Sequence, residues 1–274
     1  MAAEVAAYDR REPGRASGQK GVLVQRTKTI KAGDYLEAEI FPVLDRSWSE
    51  AARAEKRKRT PERMRAVNLR NARKRLERLL NANFGVNDLL AHLTSEDCCD
   101  EGAFRRQVRN FMAKLRRVFK RAGAILKYIY VIEATGQEGR RRYHVHMALP
   151  GGVVSRDELE KMWSHGLARV DRCQEQPKGL AGFANYITQH KDAQEKILAR
   201  KWACSRGLKQ PRITTSDSRF SRRSAQTLAA AVYADAAKLF AKKYPGYQLI
   251  EEPAVRYSDF LPGVYVYAHM RKIT

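Results

Sequence analysis

Apolar residues recur along this chain with two periods, and the change from one to the other marks where elements begin and end. From Phe104 to Phe119 the spacing is helical. Phe104, Val108, Phe111, Met112, Leu115, Val118 and Phe119 fall on one stripe and predict a strongly amphipathic helix. Another helix is predicted to start at Thr60-Pro61-Glu62, where a capping hydroxyl precedes a proline at the first helical position and an acid near the positive dipole end. Its stripe of Leu69, Ala72, Leu76, Leu79 and Leu80 leaves Arg63, Arg70, Arg73, Lys74 and Arg78 mostly on exposed faces. Ser155-Arg156-Asp157-Glu158 is a capping box opening a short helix that Gly166 can close. Gly179 to about Leu198 reads as a helix whose core stripe is Leu180, Ala184 and Ile187. The alanine-rich run from about Ser224 to Tyr244, ending at Pro245-Gly246, reads as another.

Alternation with period two predicts the strands. Gly21 to Ile40 suits a strand pair around Gly33-Asp34, and Asp88 to Thr94 a short strand after the turn at Asn83-Phe84-Gly85. Leu126 to Ala134 and Tyr143 to Leu149 form an antiparallel hairpin through a Gly-Gln-Glu-Gly turn region. Leu167 to Asp171 is a further strand, and Gln248 to Ile250, Val255 to Tyr257 and Val264 to Met270 are closing strands that continue the same architecture. The class is α+β.

The chain has 274 residues, 43% of them hydrophobic, enough for a substantial core. Its 53 Lys+Arg against 30 Asp+Glu give a net charge of +23, which favours a polyanionic partner. The excess is localised. Residues 51 to 80 hold 12 basic and 3 acidic side chains, residues 101 to 121 hold 8 and 1, and residues 200 to 223 hold 8 and 1, so the remainder is neutral. No apolar stretch approaches the roughly 18 residues needed to span a bilayer, and the polar start has no signal-peptide core, so the expected location is the cytoplasm. Cys98, Cys99, Cys173 and Cys204 form no C-x-x-C pair and read as reduced thiols.

The sharpest chemistry lies in Tyr143-His144-Val145-His146. Two histidines flanking one apolar residue in a strand project from the same face, half of a metal site. On the hairpin partner Glu133 shares a face with Lys127, Ile129 and Val131 and can lie across from His144 or His146, since cross-strand neighbours are about 5 Å apart at Cβ. Tyr186 follows about forty residues later, off the core stripe and on a face with Gly182, Gln189 and His190. A metal-held phosphodiester and a phenol nucleophile are the parts of a nuclease. Each part also has an ordinary reading: a histidine pair can be a polar sheet face, Glu133 a surface carboxylate, and Tyr186 one packing tyrosine among 12. His92 reads as an ordinary sheet histidine, and Trp202 as a core anchor rather than a base-stacking ring.

The ordered set Leu76-Glu77-Arg78-Leu79-Leu80-Asn81-Ala82-Asn83-Phe84-Gly85, Leu93-Thr94, Lys127-Tyr128-Ile129-Tyr130-Val131-Ile132-Glu133, His144-Val145-His146, Ala184-Asn185-Tyr186-Ile187-Thr188 and Cys204-Ser205-Arg206-Gly207-Leu208-Lys209-Gln210-Pro211 resembles the HUH-type rolling-circle replication initiators of small bacterial plasmids and filamentous phages. The resemblance covers roughly residues 62 to 267. It implies a central antiparallel sheet with helices on its outer face and the active site on the other, and a bacterial, cytoplasmic setting. It places the first motif on Leu93-Thr94, the paired-histidine motif on His144 and His146, and the tyrosine motif on Tyr186. That family usually carries a lysine three residues after the tyrosine. This chain has Gln189 there, leaving His190 and Lys191 as candidates for a nearby cation.

The resemblance implies nicking of one origin strand, single-stranded or in a hairpin, through a 5′-phosphotyrosine, with Mn²⁺ or Mg²⁺ held by His144, His146 and Glu133. DNA contacts are expected from Arg63, Arg70, Arg73, Lys74 and Arg78, and from Arg206, Lys209 and Arg212. No Walker phosphate loop occurs, so a host helicase and polymerase are the expected partners. The division expected is an N-terminal segment (1–50), a basic helix (51–84), an endonuclease core (85–198) and a C-terminal part (199–274). Two alternatives stand beside it: a catalytically impaired DNA-binding protein of the same fold, and a relaxase or transposase using the same chemistry.

Overall fold

The computed structural model describes residues 23–44, 61–96, 100–135, 142–174, 176–187, 202–257 and 263–273. In chain order its elements are β1 (Leu23–Ala32), β2 (Tyr35–Leu44), α1 (Pro61–Asn83), β3 (Leu89–Thr94), α2 (Glu101–Arg121), β4 (Ile129–Thr135), β5 (Arg142–Leu149), α3 (Arg156–Met162) and β6 (Ala168–Arg172). There follow α4 (Ala181–Tyr186), β7 (Ala203–Cys204), β8 (Arg212–Ser216), α5 (Arg222–Ala230), α6 (Tyr233–Lys243), β9 (Tyr247–Leu249), β10 (Ala254–Tyr257) and β11 (Val264–Lys272). The fold is α+β, as expected, but built on two antiparallel sheets rather than one.

The first sheet has the order β6-β3-β5-β4-β7. Its odd-numbered positions on β3 and β5, Leu89, Ala91, Leu93, Tyr143, Val145, Met147 and Leu149, bury one face under the stripe of α2. That stripe is the one read from the sequence, with Phe104, Val108, Phe111, Met112, Leu115 and Phe119 all buried. The even-numbered positions of these two strands point the other way. On that face Ile129, Val131 and Ala148 are covered by Leu76, Leu79 and Leu80 of α1 and by Leu180, Ala184 and Ile187 around α4. The helices therefore cover part of this second face.

The C-terminal strands do not close that sheet. They join the N-terminal hairpin in a second one, of order β10-β11-β2-β1-β8 with β9 also on β11. The hairpin turns at Gly33-Asp34, as its sequence predicts, and runs in register from Leu23↔Leu44 to Ala32↔Tyr35. Helices α5 and α6 cover one face through Leu228, Ala236 and Phe240. The single helix expected from Ser224 to Tyr244 is broken at Ala231-Val232, both in extended backbone. The break lets two short helices each bury a stripe on the same sheet, and Tyr233 Oη–H donates to the Leu249 carbonyl at 2.9 Å to fix the second. Gly166 likewise does not close α3, which ends at Met162 with Trp163 extended.

Helix α1 bridges the two sheets. One side packs Leu76, Leu79 and Leu80 on the first, while the other sends Arg78 to Glu37 of β2, its Nη2 2.5 Å from the carboxylate, and to Glu39 at 3.2 Å. Lys74 also reaches Glu39, at 3.4 Å. Arg78, expected on an exposed face, has a side chain only 13% exposed. Replacing it with alanine strands Glu37, 6% exposed, and is expected to cost about 3 kcal/mol of stability. A urea-unfolding midpoint that does not move would contradict this role for the pair.

Candidate metal centre and nucleophile

Strand β5 lies between the two strands that complete its site. In register, His144 faces Glu133 on β4 and Thr94 on β3, while His146 faces Val131 on β4 and His92 on β3. Because residues paired across an antiparallel ladder share a face, His92, His144, His146, Glu133 and Thr94 all lie on the side away from α2. The imidazole nitrogens of His92, His144 and His146 fall within 4.8 Å of one another and could hold a metal ion. Glu133 Oε2 is 3.2 Å from His144 Nε2 and 3.5 Å from His146 Nε2.

Those separations fit a shared cation, since two ligands bound to one ion at about 2.1 Å lie roughly 3.0–3.4 Å apart. Two buried polar atoms support the fit. Both His92 Nε2 and Glu133 Oε1 lack a hydrogen-bond partner, a costly state for enclosed polar groups unless an ion or water completes them. Burial, reinforced by the charges of His146 and His144, lowers the His92 pKa to about 4, so near neutrality its ring is uncharged and has a lone pair to give. Burial opposes ionisation of Glu133, but hydrogen bonds from His144 and His146 outweigh it and bring its carboxyl to about 2. The cluster offers neutral nitrogen and anionic oxygen together, the donor set a divalent ion takes.

The surrounding scaffold is tight. Thr94 gives its carbonyl to Trp163 Nε1–H at 2.9 Å and its N–H to the Leu167 carbonyl at 2.8 Å, which fixes the end of β3. Trp163 in turn packs edge-on against Phe111 and Phe104 of α2.

Tyr186 is the last residue of α4, whose Ala184 and the following Ile187 are buried against the same sheet face. The described helix is shorter than the sequence predicts. Gly179, at φ +56°, stands outside it, and a Cβ there would lie 2.3 Å from Asn81 Oδ1 on α1. That oxygen accepts the Leu180 N–H at 2.8 Å, locking α4 to α1. Gly179→Ala combines a left-handed backbone with this clash and is expected to destabilise the protein by about 2–4 kcal/mol, read from urea unfolding.

Of the other expected residues, Gln189, His190 and Lys191 lie outside the described residues, as do the Gly-Gln-Glu-Gly turn and Cys98-Cys99. Arg63 stands in the first turn of α1, Arg70 is exposed and Arg73 half-buried, whereas Lys74 and Arg78 are engaged with β2. Arg206, Lys209 and Arg212 are exposed. Asn83 at the end of α1 holds the Lys209 backbone through two hydrogen bonds, at 2.9 and 2.8 Å, and so brings this loop beside the basic helix. Trp202 is half-buried in the α1-side core with the Arg75 guanidinium over its ring, the anchor role expected of it.

His92 is the residue that sequence reasoning undervalued. Its signal was the alternation itself: with Leu89, Ala91 and Leu93 buried, His92 had to occupy the opposite face of β3. Residues 89–191 match the family model of the replication-associated proteins of the ORF2 type. The matched stretch runs from the first residue of β3 through the histidine strand and α4, and so contains every member of the cluster and Tyr186. No curated protein and no solved structure matches the chain at comparable significance. Among the described residues no helix is long and apolar enough to cross a membrane.

Proposed function

We propose that the protein is a rolling-circle replication initiator that nicks one DNA strand through Tyr186. The observation that carries this reading is the convergence of His92, His144, His146 and Glu133 on one sheet face within the stretch matched by the replication-associated family. The third imidazole shifts the expected preference from Mg²⁺ towards Mn²⁺. A bound divalent ion supplies Lewis-acid polarisation of the scissile phosphate and charge neutralisation as it is attacked.

The chain's own residues do the rest. The Tyr186 phenol loses its proton and its oxygen bonds to phosphorus, while the P–O3′ bond breaks and the departing oxygen takes up a proton as the 3′-hydroxyl. The product is a 5′-phosphotyrosine. A phenol with a pKa near 10 is a good enough leaving group for a free 3′-hydroxyl to reverse the step, so strands can be rejoined without an outside energy source. Basic side chains flanking the site, Arg70 on α1 and Arg206 and Lys209 in the loop beside it, hold the DNA backbone. Origin hairpins or single strands are the expected substrates, with helicase and polymerase supplied by the host.

The test is cleavage of a panel of single-stranded oligonucleotides from the gene's own replicon. Site-specific cleavage with Mn²⁺ that EDTA stops supports the proposal. Tight binding without cleavage in any metal would favour a DNA-binding protein of the same fold, and transfer between unlinked strands would favour a relaxase or transposase.

A further inference from the structure

The second sheet lies outside the matched residues and carries a cation cluster of its own. Across its edge, Lys31 of β1 stands opposite Arg212 of β8, and Thr29 opposite Thr214, so all four share a face. Arg219, Lys243, Tyr244 and Tyr247 close the same cleft, about 270 Å³, from the other side. Among the described residues, four cations therefore line one cleft, and no carboxylate lines it with them. On the opposite face of β1 the pattern is reversed: Lys28 is paired with Glu39 at 3.6 Å and Arg26 with Asp217 at 2.7 Å.

The cluster is preorganised. Arg219 donates to the Lys243 carbonyl at 2.7 Å and lies 4.7 Å from the centre of the Tyr244 ring, whose hydroxyl hydrogen-bonds Thr29 Oγ1 at 2.8 Å. Lys31 sits 5.2 Å over the Tyr247 ring. Like charges held this close repel one another until an anion enters. Because cations already cap both aromatic rings, the cleft offers phosphate contacts without a free stacking platform, which suits a duplex whose bases are stacked internally rather than a single strand.

We propose that this cleft binds the phosphodiester backbone of duplex DNA, a second DNA contact separate from the histidine cluster. The inference rests on the reading of the chain as a protein that acts on DNA. It is tested with the full chain by fluorescence anisotropy on a labelled duplex of roughly 20 base pairs and on the matching single strand, across a salt series. Lys31→Gln/Lys243→Gln is compared with Arg117→Gln/Lys120→Gln on the outward side of α2, and circular dichroism checks that both are folded.

The cleft variant is expected to lose about tenfold in duplex affinity and to reduce the slope of log K against log salt by about 2, with a smaller effect on single strand and in the α2 variant. An unchanged slope, an equal loss in the α2 variant, or a loss confined to single strand would overturn the proposal. If the double variant does not fold, Arg212→Gln on the exposed edge strand is read instead, with an expected slope change of about 1. Failure of the nicking proposal would appear separately, as wild-type protein that binds DNA but never cleaves it.

Discussion

His92→Ala is expected to lower metal-dependent strand cleavage by about 10²-fold or more and to raise the Mn²⁺ concentration needed for half-maximal rate, while binding of an uncleaved oligonucleotide stays within a few-fold of wild type. The reason is geometric. His92 stands opposite His146 in register, its ring centre 4.4 Å away, and its unpartnered Nε2 belongs to the same nitrogen cluster. Without it the ion keeps two imidazoles and one carboxylate, so the loss should be partly recovered by excess Mn²⁺. A cleavage rate and metal dependence unchanged in His92→Ala would return that residue to the role of an ordinary sheet histidine.

Tyr186→Phe has the larger effect on chemistry and the smaller one on structure. Removing the phenol oxygen removes the atom that bonds to phosphorus, so cleavage should fall by about 10³-fold or more. Ala184 and Ile187, which anchor this segment in the core, are untouched, so the urea-unfolding midpoint should barely move. Metal affinity should also be retained, which separates this variant from His92→Ala. Residual cleavage at the wild-type rate would transfer the nucleophile's role to another group.

The parts of the site that lie close together in sequence were legible before the fold was known. Alternation through Glu133 and through His144-Val145-His146, joined by a short connection, was enough to predict that a carboxylate and two imidazoles meet across one hairpin. Glu133 does stand opposite His144. His92 could not be placed in the same way, because nothing local says that β3 adds to the other side of β5, about fifty residues downstream.

The same distance effect hid the partners of α1. Its exposed-looking cations Lys74 and Arg78 meet Glu37 and Glu39, which reach them only because the N-terminal hairpin and the C-terminal strands form a second sheet on that side of the helix. Hydrophobic period identified α2 almost residue for residue, since its stripe is continuous. It failed between Ser224 and Tyr244, where the apolar pattern runs through the Ala231-Val232 break and only the sheet beneath shows why the chain divides there.

The central claim is a metal-dependent covalent link between Tyr186 and DNA. It is tested most directly by incubating the full chain with a cleavable single strand and Mn²⁺, digesting the product, and mapping any nucleotide-bearing peptide by mass spectrometry. The account predicts a 5′-phosphate attached to the peptide containing Tyr186, absent with EDTA and absent in Tyr186→Phe. Cleavage with no covalent product, or a nucleotide carried by a different residue, would contradict it.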